Sequence, residues 1–272
     1  MKAPVIMAAL CAATFTAHAQ DAGLPLWEVG VAGATVSTPA YPASADRAVR
    51  SLVLPFFVYR GEVLRADRGG LGARLVRKDD FEFDVGFSVS LPASSNDIAA
   101  RKDMPDLGTL IEFGPRLKMT LASPTPTSKV RLELPIRAVL EFNNGVRQQG
   151  TAFEPELVLE SRNVGAGWSA SVSGSLVFGD SQLNQYFYGV AAPYATATRP
   201  AYDAQAGLIT TRLTVNGSKA LTPDVRVFGF VRYDNYSSSA NRASPLFLQS
   251  DGTSVGVGLT WTLGRSERRA QN

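Results

Sequence analysis

From Val130 to Phe142 the chain alternates between two kinds of residue. Even positions carry Val, Leu, Leu, Ile, Ala, Leu and Phe; odd positions carry Arg131, Glu133, Pro135, Arg137, Val139 and Glu141. The same pattern runs from Phe81 to Leu91 against Glu82, Asp84, Gly86, Ser88 and Ser90, and from Trp168 to Leu176 against four serines. It returns from Val255 to Leu263 against Ser254, Gly256, Gly258, Thr260 and Thr262. A period of two puts successive side chains on opposite faces of an extended strand, so each segment has one apolar and one polar face. About twelve segments read this way, near 26–36, 49–60, 62–67, 70–77, 80–91, 107–121, 129–143, 150–161, 166–179, 205–217, 222–235 and 253–263. No comparable stretch shows the 3.6-residue period of an amphipathic helix.

Strand length narrows the choice of fold. Strands in soluble sheets usually run to about five or six residues, whereas several segments here are far longer. They suit strands tilted across roughly 25–30 Å of hydrocarbon. The connections also sort by length. Those near 37–48, 92–106, 180–204 and 236–252 are long and follow odd-numbered strands; those at Gly61, at Lys78-Asp79 and from Arg162 to Gly165 are tight and follow even-numbered ones. With both ends periplasmic, every long link falls outside. The expected fold is all-β: a transmembrane antiparallel β-barrel of about 12 strands with short periplasmic turns and longer extracellular loops. In such a barrel the apolar stripes face lipid. The charges at Arg116, Lys118, Arg131, Glu133, Arg137, Glu141, Glu154, Glu156 and Glu160 line or plug the interior.

The N-terminus agrees with export. Lys2 precedes an apolar run over residues 3–17 that is too short to span a bilayer, and Ala17-His18-Ala19 fits a small-x-small cleavage site. Three regions are therefore expected: a cleaved signal peptide at 1–19, the barrel at 20–263, and a short charged tail at 264–272. A lipoprotein reading of Cys11 is weaker, because Leu10 stands where a small residue belongs.

Cys11 and His18 are the sole cysteine and histidine of the sequence, and both leave with the signal. Ser-His-Asp and Cys-His catalysis then lack their base, and zinc sites lack their ligands. Glu154 and Glu156, two apart on one strand face, remain a formal carboxylate pair; a wet lumen wall is the better account of them. Asp79-Asp80 lacks the spacing of a calcium loop. Gly69-Gly70-x-Gly72 has no helix after it to bind phosphate. No enzyme activity, cofactor or metal is expected. A net charge of +3, scattered along the chain, does not point to nucleic acid; the one dense basic cluster, Arg265, Arg268 and Arg269, reads as a solvated tail.

Aromatic residues near strand ends, namely Trp27, Phe56, Tyr59, Trp168, Tyr233 and Trp261, fit interfacial girdles. In the last strand Gly258, Trp261 and Leu263 resemble the terminal signature of outer-membrane barrels, although Leu263 replaces an aromatic and nine residues follow it. One stretch breaks the alternation. In "DSQLNQYFYGV", residues 180–190, three aromatics are consecutive and would face both sides of a strand. Placed in the longest outer loop, Tyr186, Phe187 and Tyr188 are expected to anchor it against the barrel mouth or lumen wall, with Arg199 and Tyr202 in the return arm.

An ordered set of segments resembles one family. "LPFFVYRGE" at 54–62, "GGLGARL" at 69–75, "QYFYGV" at 185–190, "RPAYDAQAG" at 199–207 and "RYDNYSSSANRASPL" at 232–246 are similar to segments of MipA/OmpV proteins, across residues 26–263. The resemblance implies a bacterial outer-membrane barrel in contact with outer-membrane lipid. It implies a non-enzymatic scaffolding role in murein organisation, with a murein hydrolase and a murein synthase as partners, and it transfers no catalytic residues. A small solute channel and a surface adhesion protein are the alternatives.

Overall fold

The computed structural model describes residues 24–60, 64–67, 70–78, 80–90, 92–143, 145–162 and 164–270. The expected signal peptide lies outside them. The strands are β1 (Trp27–Pro39), β2 (Arg47–Arg60), β3 (Leu64–Asp67), β4 (Gly70–Lys78), β5 (Phe81–Ser90), β6 (Thr109–Thr125), β7 (Ser128–Phe142), β8 (Val146–Phe153), β9 (Glu156–Ser161), β10 (Trp168–Gly179), β11 (Gly207–Ala220), β12 (Val225–Asn235) and β13 (Asp251–Arg265). All pairings are antiparallel, and they join sequence neighbours except for β1 with β13, β7 with β9 and β8 with β10. The ladder from Trp168↔Lys219 to Gly179↔Gly207 joins β10 to β11 and closes the ring.

β8 and β9 both pair with β7 and with β10. They are two halves of one stave, so thirteen strands among the described residues make twelve staves. The segment read as a single strand over 150–161 breaks at Glu154-Pro155, where proline has no N–H to give the ladder. Glu154 N bonds Pro135 O at 3.3 Å across the break.

The loops sort as the alternating lengths imply. Residues 40–46, 92–108, 180–206 and 236–250 crowd the extracellular end. Links of two and four residues, at 126–127 and 221–224, lie at the periplasmic end, where β2 also meets β3, β4 meets β5 and β9 meets β10. The outer surface is an apolar belt: Val53 is 75% exposed, Val257 and Leu263 60%, Leu259 51% and Ile136 50%. A continuous band of this kind, on strands whose other face is polar, is what lipid contact requires. Trp27, Trp168, Tyr233 and Trp261 stand outward in it, and Tyr59 stacks on Phe57 at 6.4 Å. Phe56 departs from the girdle expectation. It sits opposite Gly30 on the lumen side, where a Cβ on Gly30 would lie 2.7 Å from its ring.

The inner face carries the charges. Arg116 spans Asp84 at 2.8 Å and Glu133 at 3.5 Å; Lys118 reaches Asp84 at 2.8 Å and Glu82 at 3.1 Å. Arg131 joins Glu133 to Glu160. Apart from Arg131 with Glu133 on β7, the partners come from adjacent staves, so the charges brace the wall and offset the desolvation each would suffer alone. Residues 266–270 do not trail away: Leu26 N bonds Arg268 O at 2.9 Å and Ala270 N bonds Leu24 O at 2.8 Å. An isolated antiparallel bridge between Pro25 and Arg269 thus ties residues 24–26 to 268–270.

Candidate functional site

The extracellular mouth is closed by its own loops. Its centre is helix α1, Ser181–Tyr188, inside the stretch read as irregular loop. Asp180 caps it: one carboxylate oxygen accepts from Leu183 N at 2.8 Å and the other from Thr151 N on β8 at 2.8 Å. The cap thus fixes the helix to the barrel rim. Gly150 makes this approach possible. Its φ is +106°, and a Cβ there would lie 2.2 Å from the Asp180 carboxylate.

Two apolar clusters fill the space under the loops. One gathers Ala43, Leu110, Val139, Leu183, Tyr188, Ile209 and Tyr236; the other gathers Tyr41, Ile98, Leu107, Val190 and Leu246. Tyr186, Phe187 and Tyr202 pack against both. Tyr186 meets Phe187 edge-on at 5.2 Å and donates its hydroxyl to Glu141 on the lumen wall at 3.1 Å. Tyr188 is fully buried, and its carbonyl accepts from the Ser244 hydroxyl at 2.7 Å. Arg199 lies at the outer edge. It donates to Tyr194 O within its own loop, and to Ala100 O at 2.9 Å and Lys102 O at 3.0 Å in the 92–108 loop. Tyr202 donates to Asn241 at 3.2 Å and shares a backbone bridge with Val190.

Other members of the cap carried no chemical signal in the sequence. Asn184 and Asn241 are both fully buried, and the Asn241 amide donates to Asn184 at 2.9 Å. Arg101 is 3% exposed, 5.8 Å over the Tyr41 ring, and donates to Phe187 O. Ala43 adopts φ +66°, and its carbonyl accepts from both Leu248 N and Gln249 N. Three stretches that mark the family resemblance therefore meet in space: Gln185 with Ala204 N at 2.7 Å, Tyr202 with Asn241, and Tyr188 with Ser244. Burial raises the phenols of the cap. Tyr41 and Tyr236 are pushed up to about 12, and Tyr186 and Tyr188 are raised too, with Glu141 adding to the effect at Tyr186.

Beneath the cap lies a chamber of about 360 Å³. One side is charged. Arg137 holds Glu154 at 3.0 Å and Glu112 at 3.4 Å; Arg212 holds Glu154 at 3.0 Å and Asp234 at 2.7 Å; Arg232 holds Asp234 at 3.0 Å. Glu154 also accepts from the Ser175 hydroxyl. With two arginines and a hydroxyl on it, Glu154 is held as a counter-ion in the wall. Among the described residues no group of three or more His, Cys, Asp or Glu is placed to hold a metal ion.

The chain matches the family described as "MltA-interacting protein MipA" over residues 29–263. No curated protein sequence matches it. Solved structures with a similar course include the NanC porin, at 9% identity and a TM-score of 0.40, covering 86% of this chain and 100% of that one. Outer membrane phospholipase A from Escherichia coli follows at 13% identity and a TM-score of 0.37, covering 88% and 94%. The CymD monoaromatic hydrocarbon channel does so at 11% identity and 0.36, covering 91% and 90%. Likenesses this distant carry no argument about activity. With most of its length matched by the family and a closed barrel belted in apolar residues, the chain belongs to the MipA family and is a bacterial outer-membrane β-barrel.

Proposed function

We propose that this barrel is a non-enzymatic anchor at the outer membrane that holds a murein hydrolase, and with it a murein synthase, at the periplasmic face. The observation that favours a structural role over transport is the cap. Four loops and helix α1 occupy the mouth above an ion-paired lumen. The partner class comes from the family's description as MltA-interacting. In this reading Tyr186, Phe187, Tyr188, Arg199 and Tyr202 anchor the longest loop and keep the barrel closed. Pull-down of a lytic transglycosylase and a penicillin-binding protein from solubilised envelopes tests it. Enrichment no greater than with an unrelated barrel would end the proposal.

A second reading, a small-solute channel gated by the cap, is favoured by the chamber of about 360 Å³ beneath it. Planar-bilayer recording separates the two: a stable open conductance in the unmodified protein supports the channel, and silence supports the anchor.

A further inference from the structure

The wall of the barrel is not of even height. β3 and β4 form a short hairpin whose tip lies at Asp67 and Gly70. β3 meets β2 through Tyr59↔Ala66 and Arg60↔Arg65, and β4 meets β5 no further up than Ala73↔Val85. Above these points β2 from Arg47 to Val58, and β5 from Gly86 to Ser90, have no strand on their facing sides among the described residues. The hairpin therefore leaves a lateral notch in the half of the barrel that crosses the outer leaflet. Behind the notch lies the chamber. Ala48, Arg50 and Leu52 of β2 and Ser88 and Ser90 of β5 line it.

Strand register gives the chamber a floor and a rim. One rung runs Leu52, Ala34, Gly258, Phe228; the rung above it runs Arg50, Val36, Gly256, Phe230. A Cβ on Gly256 would lie 2.3 Å from the Phe230 ring, and one on Gly258 2.6 Å from Phe228, so the glycines let both rings lie flat on the wall. The result is an apolar trough with small residues along its bottom. Above it stand Thr38, Ser254 and Arg232, joined by hydrogen bonds of 2.8 Å and 3.0 Å. Among the described residues, the charged groups around the chamber are Arg50, Arg137, Arg212 and Arg232 against Glu112, Glu154 and Asp234, four cations to three anions. The three acids are each ion-paired to Arg137, Arg212 or Arg232. Arg50 has no ion-pair partner among the described residues; it donates only to Val49 O and, across the notch, to Pro92 O at 3.4 Å.

From this arrangement we infer that the chamber binds a single-chain amphiphile with an anionic head, which enters sideways from the outer leaflet between β2 and β5. The chain lies in the trough over Phe228, Phe230, Ala34 and Leu52, and the head rests at Arg50 and Arg232. The size is appropriate, since ligand cavities run from about 300 to 1,000 Å³. A polar head at the notch also meets the need of the open β2 edge for hydrogen-bond partners inside a bilayer.

Native mass spectrometry of the full-length protein released from detergent micelles tests this inference. The probes are dodecanoate, dodecanol, dodecyltrimethylammonium and lysophosphatidylglycerol. One dodecanoate or one lysophosphatidylglycerol should stay bound per chain, and the preferred one identifies a free fatty acid or a lipid as the source. Dodecanol and dodecyltrimethylammonium should be retained at least tenfold less. Arg50→Gln should remove the preference for the anionic head, and Leu52→Trp, which fills the trough, should remove retention altogether. Both variants are first shown by circular dichroism to keep the barrel. Equal retention of the cationic and anionic probes, no effect of either folded variant, or a dimer with empty chambers, in which a second copy fills the notch, would each overturn the proposal. The outcome is independent of whether a murein enzyme is captured.

Discussion

Replacing Tyr188 with alanine should unlatch the mouth while leaving the barrel intact. The ring is fully buried between helix α1, the rim of the barrel and the 236–250 loop, packed with Ala43, Leu183, Ile209 and Tyr236. Truncating a buried aromatic costs about 3–5 kcal/mol, through lost transfer energy and the cavity left behind. That energy acts on the cap and not on the strand ladders, because the residue touches loops and lumen-facing side chains. Each factor of ten is about 1.4 kcal/mol, so the population of open caps should rise by roughly two to nearly four orders of magnitude. The assay is twofold. Limited proteolysis should cut the 191–200 segment, largely exposed outside the core, far faster in the variant than in the parent, and planar-bilayer recording should show new intermittent openings. Leu263→Ala, on the lipid-facing surface, serves as control and should change neither. If the folded variant resisted protease like the parent and remained electrically silent, the aromatic latch would not be what holds the mouth shut.

Three further outcomes follow from the geometry. Arg199→Ala removes donors to Tyr194, Ala100 and Lys102; at this partly exposed site a loss of about 1–2 kcal/mol should speed amide exchange across 99–104 by roughly 5- to 30-fold, and unchanged exchange would mean the clamp contributes nothing. Asp234→Ala leaves Arg212 and Arg232 without their shared partner, which costs about 3–5 kcal/mol; the urea midpoint should fall well below that of Glu267→Ala, and equal midpoints would refute the bracing role. The cap phenols give a pH dependence. Because Tyr41 and Tyr236 are raised from 10 to about 12 by burial, the fold favours their neutral forms. That stabilisation is complete below pH 10 and is lost as the pH rises from 10 to 12. Tyrosinate absorbance should lag behind that of free tyrosine in this window and the cap should loosen within it; titration of every tyrosine near pH 10 would contradict the burial described.

Much of the cap was legible, but only in part. Tyr186, Phe187 and Tyr188 stood out because consecutive aromatics cannot belong to a half-buried strand, and Arg199 and Tyr202 were expected only as the return arm of the same loop. The helix that carries three of them did not, because eight residues make little more than two turns, too few for a 3.6-residue period to register. Its start signal was nonetheless present as Asp180, three residues before Leu183. Asn184, Asn241 and Arg101 gave no warning. A buried amide or guanidinium is defined by partners far along the chain, here 57 residues away for the asparagine pair and 86 for Arg101 and Phe187.

The sequence by itself determined that the chain is a membrane barrel, because alternation, strand length and loop sorting are local properties that each strand carries alone. It also determined which residues face lipid and which face the lumen, with Phe56 as the exception among the aromatics. Only the tertiary structure decided what the lumen contains. The pairing of Arg212 with both Glu154 and Asp234, the closure of the mouth by α1, and the notch above the short β3–β4 hairpin all depend on register, the relative height of neighbouring strands. Register is set by the whole closed ring of hydrogen bonds, and no single segment encodes it.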